Sequence, residues 1–231
     1  MLVDGPSAAR GDFSCGRGRS RLDTRNARLV LSNVVVVFEA LKFGPALSEL
    51  ARRLLPGHPS PLITEIPDQL LAVAYPDRQI QCQFANRRLD VRDTRGVEPG
   101  AEPFSETAVR AVEAAIAAGA GGMVAYGYNY ELLLSLREGD PGTFLQTRFF
   151  TNPQKLGDAF GGKVGAVGIS ASVELDGCQA NFDIGPQPEM PGYLKAHVNY
   201  HCHGRPPQDG QLLAEEMRQK YEDFKAALER L

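Results

Sequence analysis

The sequence has no hydrophobic run long enough to cross a membrane as a helix. Its apolar runs, of which Val34–Phe38 is an example, have the length of a strand, whereas a membrane-spanning helix needs about 20 apolar residues. Charge imbalance is also small, since the formal net charge of the 231 residues is −3. We therefore expect neither a membrane partner nor a general affinity for nucleic acid.

The sequence also lacks the short motifs that mark several enzyme classes. It contains no G-x-S-x-G, no H-E-x-x-H and no S-x-x-K pattern, the arrangements that place a catalytic serine or a zinc ion in hydrolases. The glycine-rich segment 161–168 has neither the G-x-x-x-x-G-K-[ST] nor the G-x-G-x-x-G spacing of a phosphate-binding loop. These absences favour a protein that is not an enzyme.

Cysteine is scarce, with Cys15, Cys82, Cys178 and Cys202 far apart and no C-x-x-C pair. In a chain of this size such spacing predicts reduced thiols rather than a disulfide framework. The last three lie at apolar positions of predicted strands, where a thiol behaves as a small core residue. This cysteine usage predicts a cytoplasmic location.

The periodicity of the remaining sequence predicts an α+β fold. Strand-like segments with one apolar and one polar side occur in blocks, which is typical of antiparallel sheets. Asp176-Gly177 predicts a two-residue hairpin turn that pairs Leu175 with Cys178. We expect an antiparallel sheet, or sheets, built from two meanders with helices packed on one face. A long amphipathic C-terminal helix is predicted from Asp209 onward.

The domain prediction separates an N-terminal arm from one folded unit. Residues 1–27 are rich in arginine and glycine and poor in periodic apolar positions, so we expect disorder; nucleic-acid contact through this arm is the alternative. Residues 28–231 are predicted to form a single α+β domain. Two similar halves, 28–138 and 163–231, joined by an irregular segment, are a second possible organisation, although no residue-level repeat supports them.

Three of the four histidines occur in the predicted strand Leu194–His203. At the strand period of two, they share one side with Lys195 and Asn199. Keeping the apolar sides together predicts that Asp183 of the preceding strand faces Lys195. The candidate ligand-binding or interface residues on this polar side are Ser170, Ser172, Asn181, Asp183, His197, Asn199, His201 and His203.

A zinc site is one hypothesis for the histidine strand. His201 and His203 are two residues apart, which places their Cα atoms about 6.6 Å apart and allows both to bind one ion. Zinc needs three or four ligands, and we expect both histidines to extend beyond the neighbouring strand, so the sequence supplies only two. A pH-sensitive cluster, a subunit contact and a solvated surface are the alternatives. No cofactor other than zinc is expected.

A second row of candidates consists of Tyr126, Tyr128 and Tyr130, which share one side of a predicted strand. The same side continues into leucines, which favours a position in the core. A subunit interface, or a platform that stacks on bases or sugars, is the alternative.

The sequence thus leaves two functions to compare. The first is a non-enzymatic binding or assembly protein that acts through protein–protein contacts or self-association. The second is a small-ligand- or metal-binding protein, an enzyme included, that uses the polar, histidine-bearing side of the sheet. A concave pocket on that side would favour the second function.

Overall fold

The computed structural model describes residues 22–57, 60–137, 139–152 and 154–231. In these ranges the chain forms nine strands and five helices. In chain order they are β1 (Leu22–Phe38), α1 (Pro45–Ala51), β2 (Leu62–Ile66), β3 (Leu70–Tyr75), β4 (Ile80–Ala85), β5 (Arg88–Asp93), α2 (Phe104–Ala117), β6 (Met123–Leu136), α3 (Pro141–Phe149), α4 (Gln154–Phe160), β7 (Ile169–Leu175), β8 (Cys178–Pro186), β9 (Tyr193–His203) and α5 (Gly210–Arg230).

All nine strands belong to one antiparallel sheet with the order β2-β3-β4-β5-β1-β6-β9-β8-β7. The two long strands β1 and β6 lie at its centre and pair with each other. Strands β2 to β5 pair in sequence, and β5 returns to the free side of β1. Strands β7 to β9 do the same next to β6. The predicted α+β class with an antiparallel sheet is confirmed.

The core lies on one side of this sheet, where the apolar strand positions contact helices. The Tyr130 hydroxyl donates a hydrogen bond to the Met217 carbonyl of α5 at 2.8 Å, and the Tyr200 hydroxyl donates to the Lys220 carbonyl at 3.0 Å. Buried residues of α1, α2 and α3 join the same cluster. Burial of these apolar side chains is the main source of folding free energy.

Helix α5 begins and faces the sheet as its sequence predicts. The Asp209 carboxylate accepts hydrogen bonds from the backbone N–H groups of Gln211 and Leu212, both at 2.9 Å, which satisfies two donors of the first turn. Leu213, Met217, Phe224 and Leu228 are buried along one stripe of the helix. A long C-terminal helix is therefore confirmed. In the described parts of the chain, no helix is long and apolar enough to cross a membrane.

Two segments differ from their sequence-based descriptions. Strand β1 begins at Leu22, so residues 22–27 of the predicted arm form regular structure; the rest of that prediction falls on residues 1–21, outside the described residues. The segment 139–162, for which the sequence shows no clear pattern, contains the helices α3 and α4. An Asp140 N-cap that accepts from the Thr143 N–H at 2.8 Å starts α3.

The prediction that Cys178 and Cys202 are thiols is wrong, because they form a disulfide across β8 and β9. The sequence-based pairing of these strands is wrong by two residues: Asp183 lies opposite His197 rather than Lys195. In the observed register Cys178 and Cys202 are directly opposite each other on the core side. Cys82 remains a thiol buried in the core, and burial raises the pKa of that thiol.

We expect removal of this disulfide to destabilise the oxidised protein by about 3 kcal/mol, because a bond between residues 24 apart in sequence restricts the unfolded chain. The measurement is urea unfolding of the chain carrying both Cys178→Ser and Cys202→Ser. A reductant should destabilise the natural chain to a similar extent and leave the double variant unchanged. Equal stability of the oxidised and reduced natural chain would contradict the prediction.

Candidate functional site

The side of the sheet opposite the core carries most of the polar strand residues. One transverse line of side chains crosses seven neighbouring strands, each residue directly opposite the next. We call this line the polar row. From β4 to β7 it consists of Gln81, Arg92, Asn33, Asn129, Asn199, Asn181 and Ser172.

Three asparagines at the centre of the polar row form a continuous hydrogen-bonded chain. The Asn199 amide donates to Asn129 Oδ1 at 2.5 Å, and the Asn129 amide donates to Asn33 Oδ1. The Asn33 amide then donates to Asp90 Oδ1 at 3.0 Å. In Asn129 and Asn33, the amide nitrogen donates toward Asp90 and the amide oxygen accepts from the preceding asparagine. All three hydrogen bonds therefore point the same way, and in such a series neighbouring hydrogen bonds strengthen one another.

Asp90 is the last acceptor of these hydrogen-bonded asparagines. Its carboxylate is buried and has hydrogen-bond or ion-pair partners at both oxygens. Arg88 Nη2 lies 3.0 Å from Oδ2, and Arg92 Nε lies 2.9 Å from Oδ1. The hydrogen bond with Asp90 is the main cause that raises the pKa of Arg92. Because both carboxylate oxygens already accept hydrogen bonds from amide and guanidinium groups, Asp90 acts as the charged anchor of the row rather than as a free acid or base.

The predicted ion pair between Asp183 and Lys195 is wrong. Lys195 instead pairs with Glu131 of β6, Nζ to Oε2 at 2.8 Å, while Asp183 lies opposite His197, with Nδ1 and Oδ2 3.8 Å apart. The two-residue error in the β8–β9 register is the cause. The same error affects His201, which lies opposite Gln179 rather than beyond the end of β8.

Among the residues that the structure describes, none is placed as a third ligand for the predicted zinc site. The His201 and His203 rings are adjacent, with centroids 5.8 Å apart. In the described ranges, no group of three His, Cys, Asp or Glu residues is arranged to hold a metal ion. Zinc binding by His201 and His203 therefore stays a prediction.

An open cavity of about 410 Å³ lies where β7 and β9 begin and β8 ends. Ser170, Asp183, Lys195 and His197 give it a hydroxyl, a carboxylate, an ammonium and an imidazole group. Asp183 lies between the strands that carry Ser170 and His197, so the imidazole is two strands from the hydroxyl and is not placed to remove its proton. The cavity can bind a small polar molecule but has no activated nucleophile.

The structure places the three candidate tyrosines on the core side. Tyr128 and Tyr130 are fully buried, which leaves no exposed ring face for stacking on a base or sugar. Tyr126 is half-buried and its hydroxyl donates to Glu216 Oε1 at 3.1 Å. Burial, followed by the charge of Glu216, raises the pKa of Tyr126 to about 12. The hydroxyl groups of Tyr126 and Tyr130 attach β6 to α5.

A second surface lies at one end of the sheet and was missed by sequence reasoning. The apolar residues of β7, which are Ile169, Ala171, Val173 and Leu175, face the helix side but extend beyond the helices; we call them the β7 surface. Val173 is 41% and Leu175 43% exposed. An apolar groove of about 240 Å³ adjoins them. Its lining residues are Phe149, Ile169, Ala171, Val173, Phe182, Ile184, Ala227, Leu228 and Leu231.

The alternation of β7 in sequence is that of any half-buried strand, so the pattern alone places its apolar side in the core. Only the order of strands in the sheet reveals that β7 is the last one. No local signal separates β7 from a core strand. Its apolar positions carry isoleucine, alanine, valine and leucine, and the core strand β9 also has leucine, alanine and valine at its apolar positions.

Comparison of the chain with known protein families and with curated proteins finds no match. Evidence for the function therefore comes from the polar side of the sheet and from the β7 surface. The polar side brings Asn181, Asp183, His197 and Asn199 together, and it separates them from the three tyrosines.

We expect Asn129→Ala to destabilise the protein by about 2 kcal/mol, because it leaves the buried Asn33 oxygen and the Asn199 amide without their shared partner. Urea unfolding measures the effect. Asn181→Ala is the matched control, since Asn181 is a half-exposed residue of the same row, and it should cost less than about 0.5 kcal/mol. Equal losses in the two variants would show that the hydrogen-bonded chain does not stabilise the sheet.

Proposed function

We propose that this chain is a non-enzymatic binding or assembly protein that acts through protein–protein contacts. The observation that carries the proposal is the β7 surface, an apolar strip on the last strand of the sheet that no described helix covers. Large exposed apolar patches on globular proteins are typical of interaction sites.

The backbone of β7 supports the same proposal. Its outer side has no neighbouring strand among the described residues, so a row of N–H and C=O groups is available to a partner strand. Proteins usually protect such edges with lysine, proline or bulges. The sequence of β7, Ile-Ser-Ala-Ser-Val-Glu-Leu, contains neither lysine nor proline, and its pairing with β8 is regular throughout.

The other end of the sheet is better protected. Strand β2 has five residues and lies between Pro61 and Pro67, which lack the N–H group needed for pairing. Its residue Glu65 accepts a hydrogen bond from the Ser48 hydroxyl of α1 at 3.0 Å. This contact attaches β2 to a helix on the core side, whereas the β7 surface extends past the helices.

The polar side of the sheet gives less support to catalysis. Its most buried polar groups, Asn33, Asn129 and Asp90, bind one another, and an acid or base for catalysis needs access to a substrate proton. The proposal therefore treats the chain as a binding protein rather than an enzyme.

The cytoplasmic location stays a prediction, but the disulfide removes the main observation that supported it. It was inferred from cysteines that were expected to be thiols, whereas Cys178 and Cys202 form a disulfide. Disulfides persist mainly in oxidising compartments, so the observed bond favours such a compartment over the cytoplasm.

We expect Val173→Lys to weaken the proposed contact at least about tenfold, because burying an ammonium group in an apolar contact costs about 1.4 kcal/mol or more. Light scattering measures self-association, and pulldown with the tagged full chain measures other protein partners. Leu62→Lys is the matched control, since Leu62 is an exposed apolar residue on the opposite edge strand. A chain that neither associates nor retains any partner, with or without Val173→Lys, would refute the proposed function.

A second candidate function is the binding of a small polar ligand, and the 410 Å³ cavity favours it. Lys195 and His197 offer a positive and a titratable group, and Asp183 offers a negative one. This combination is suited to a small zwitterion, which carries both an anionic and a cationic group.

Nuclear magnetic resonance of the histidine rings tests this second candidate with a panel of free amino acids as probes. A bound amino acid should shift the His197 signals, and Lys195→Ala should weaken that binding about tenfold through loss of a charge-assisted hydrogen bond. The His203 ring, which is not among the cavity residues, is the internal reference. Equal, non-saturating shifts of both rings would exclude a ligand site in the cavity.

A further inference from the structure

We infer that the partner of the β7 surface is a second copy of this chain, bound by antiparallel pairing of β7 with β7 about a two-fold axis through Ser172. The inference rests on the proposed function and names its partner. Among the described strands, β7 is the last one of the sheet, and none of them pairs with the hydrogen-bonding groups on its outer side.

The residue pattern of β7 is self-complementary. In antiparallel pairing about Ser172, each residue faces the one at the same distance on the other side of the axis. Ala171 then faces Val173 of the second copy, and Ile169 faces Leu175. The apolar residues meet on the core side, and all seven residues of the strand are paired. Because the strand has seven residues, pairing about the middle one uses the whole strand. Residues that face each other then lie on the same side of the joined sheet.

The charges of β7 fit the same register. Glu174 is the only charged residue of the strand, and it faces the neutral Ser170 of the second copy. The two carboxylates are then separated by four residues along the ribbon, about 13 Å. Like charges directly opposite each other would destabilise such a pair, and this register avoids that contact.

The apolar groove extends the contact beyond the strand. Phe149, Leu228 and Leu231 adjoin the apolar residues of β7 on the core side. A two-fold axis through Ser172 brings the corresponding grooves of both copies to the same side of the joined sheet. Each copy thereby helps to cover the exposed Val173 and Leu175 of the other. Such an isologous contact, made by the same surface on both subunits, is the common form of a homodimer.

The test uses the full chain in a Cys15→Ser background, which removes the cysteine that lies outside the described residues. In this background Ser172→Cys places the new thiol opposite its own copy, where directly opposed residues of antiparallel strands have Cα atoms about 4.5–5.5 Å apart, within the range of a disulfide. Glu174→Cys is the matched control on the same side of the same strand, with the two thiols about 13 Å apart.

We expect a particle of about twice 25.1 kDa by light scattering, and on the order of tenfold more crosslinked dimer under mild oxidation for Ser172→Cys than for Glu174→Cys. Val173→Lys added to Ser172→Cys should abolish the crosslink, whereas Leu62→Lys should leave it unchanged. Because Val173 and Ser172 are exposed on an edge strand, these variants should remain folded, and unfolding curves verify that they do.

Three outcomes would overturn the inference. They are a monomer at all concentrations, equal crosslinking of the two cysteine variants, or loss of the dimer with Leu62→Lys but not with Val173→Lys. If the chain is a monomer and Val173→Lys still abolishes capture of a different protein, the second-copy inference fails and the proposed function survives. If Val173→Lys changes neither self-association nor capture, both fail.

Discussion

The antiparallel pairing of the two long strands β1 and β6 is the contact on which the rest of the structure depends. It joins residues 22–38 to residues 123–136 along most of their length, and every other strand is added outward from this pair. β5 adds to the free side of β1, and β9 adds to the free side of β6. Because each meander then continues outward, β2 and β7 necessarily become the two ends of the sheet.

The central pair also determines how the two sides of the sheet differ. Asn33 lies opposite Asn129 at its middle, and the alternation of the strands extends that polar line through both meanders. The opposite side receives Tyr128 and Tyr130 and is covered by α5. A buried amide row is stabilising only when every amide finds a partner, and the charged end at Asp90 provides the final acceptor.

Sequence periodicity predicted most of the strands, the Asp176-Gly177 turn and α5, because burial on one side leaves a local pattern. It did not predict β2, whose residues are mostly exposed. The turn pairs Leu175 with Cys178 as expected, and Gly177 has a φ of 70°. The predicted register of β8 against β9 was wrong, because the loop between the two strands does not determine which residues lie opposite each other. That error hid the Cys178–Cys202 disulfide and assigned the wrong partner to Asp183. The edge position of β7 depends on contacts distant in sequence, which periodicity does not contain.

The two unequal ends of the sheet limit how copies of this chain can associate. Pairing of β7 with β2 of another copy would leave one free end after every addition, and such a contact builds an open fibre. The prolines that flank β2 oppose this mode of growth. Pairing of β7 with β7 occupies both available edges at once and ends in a closed dimer. Strand β7 lacks lysine and proline, and no described helix covers it. Its edge is therefore closed to further strand pairing when a second copy occupies it.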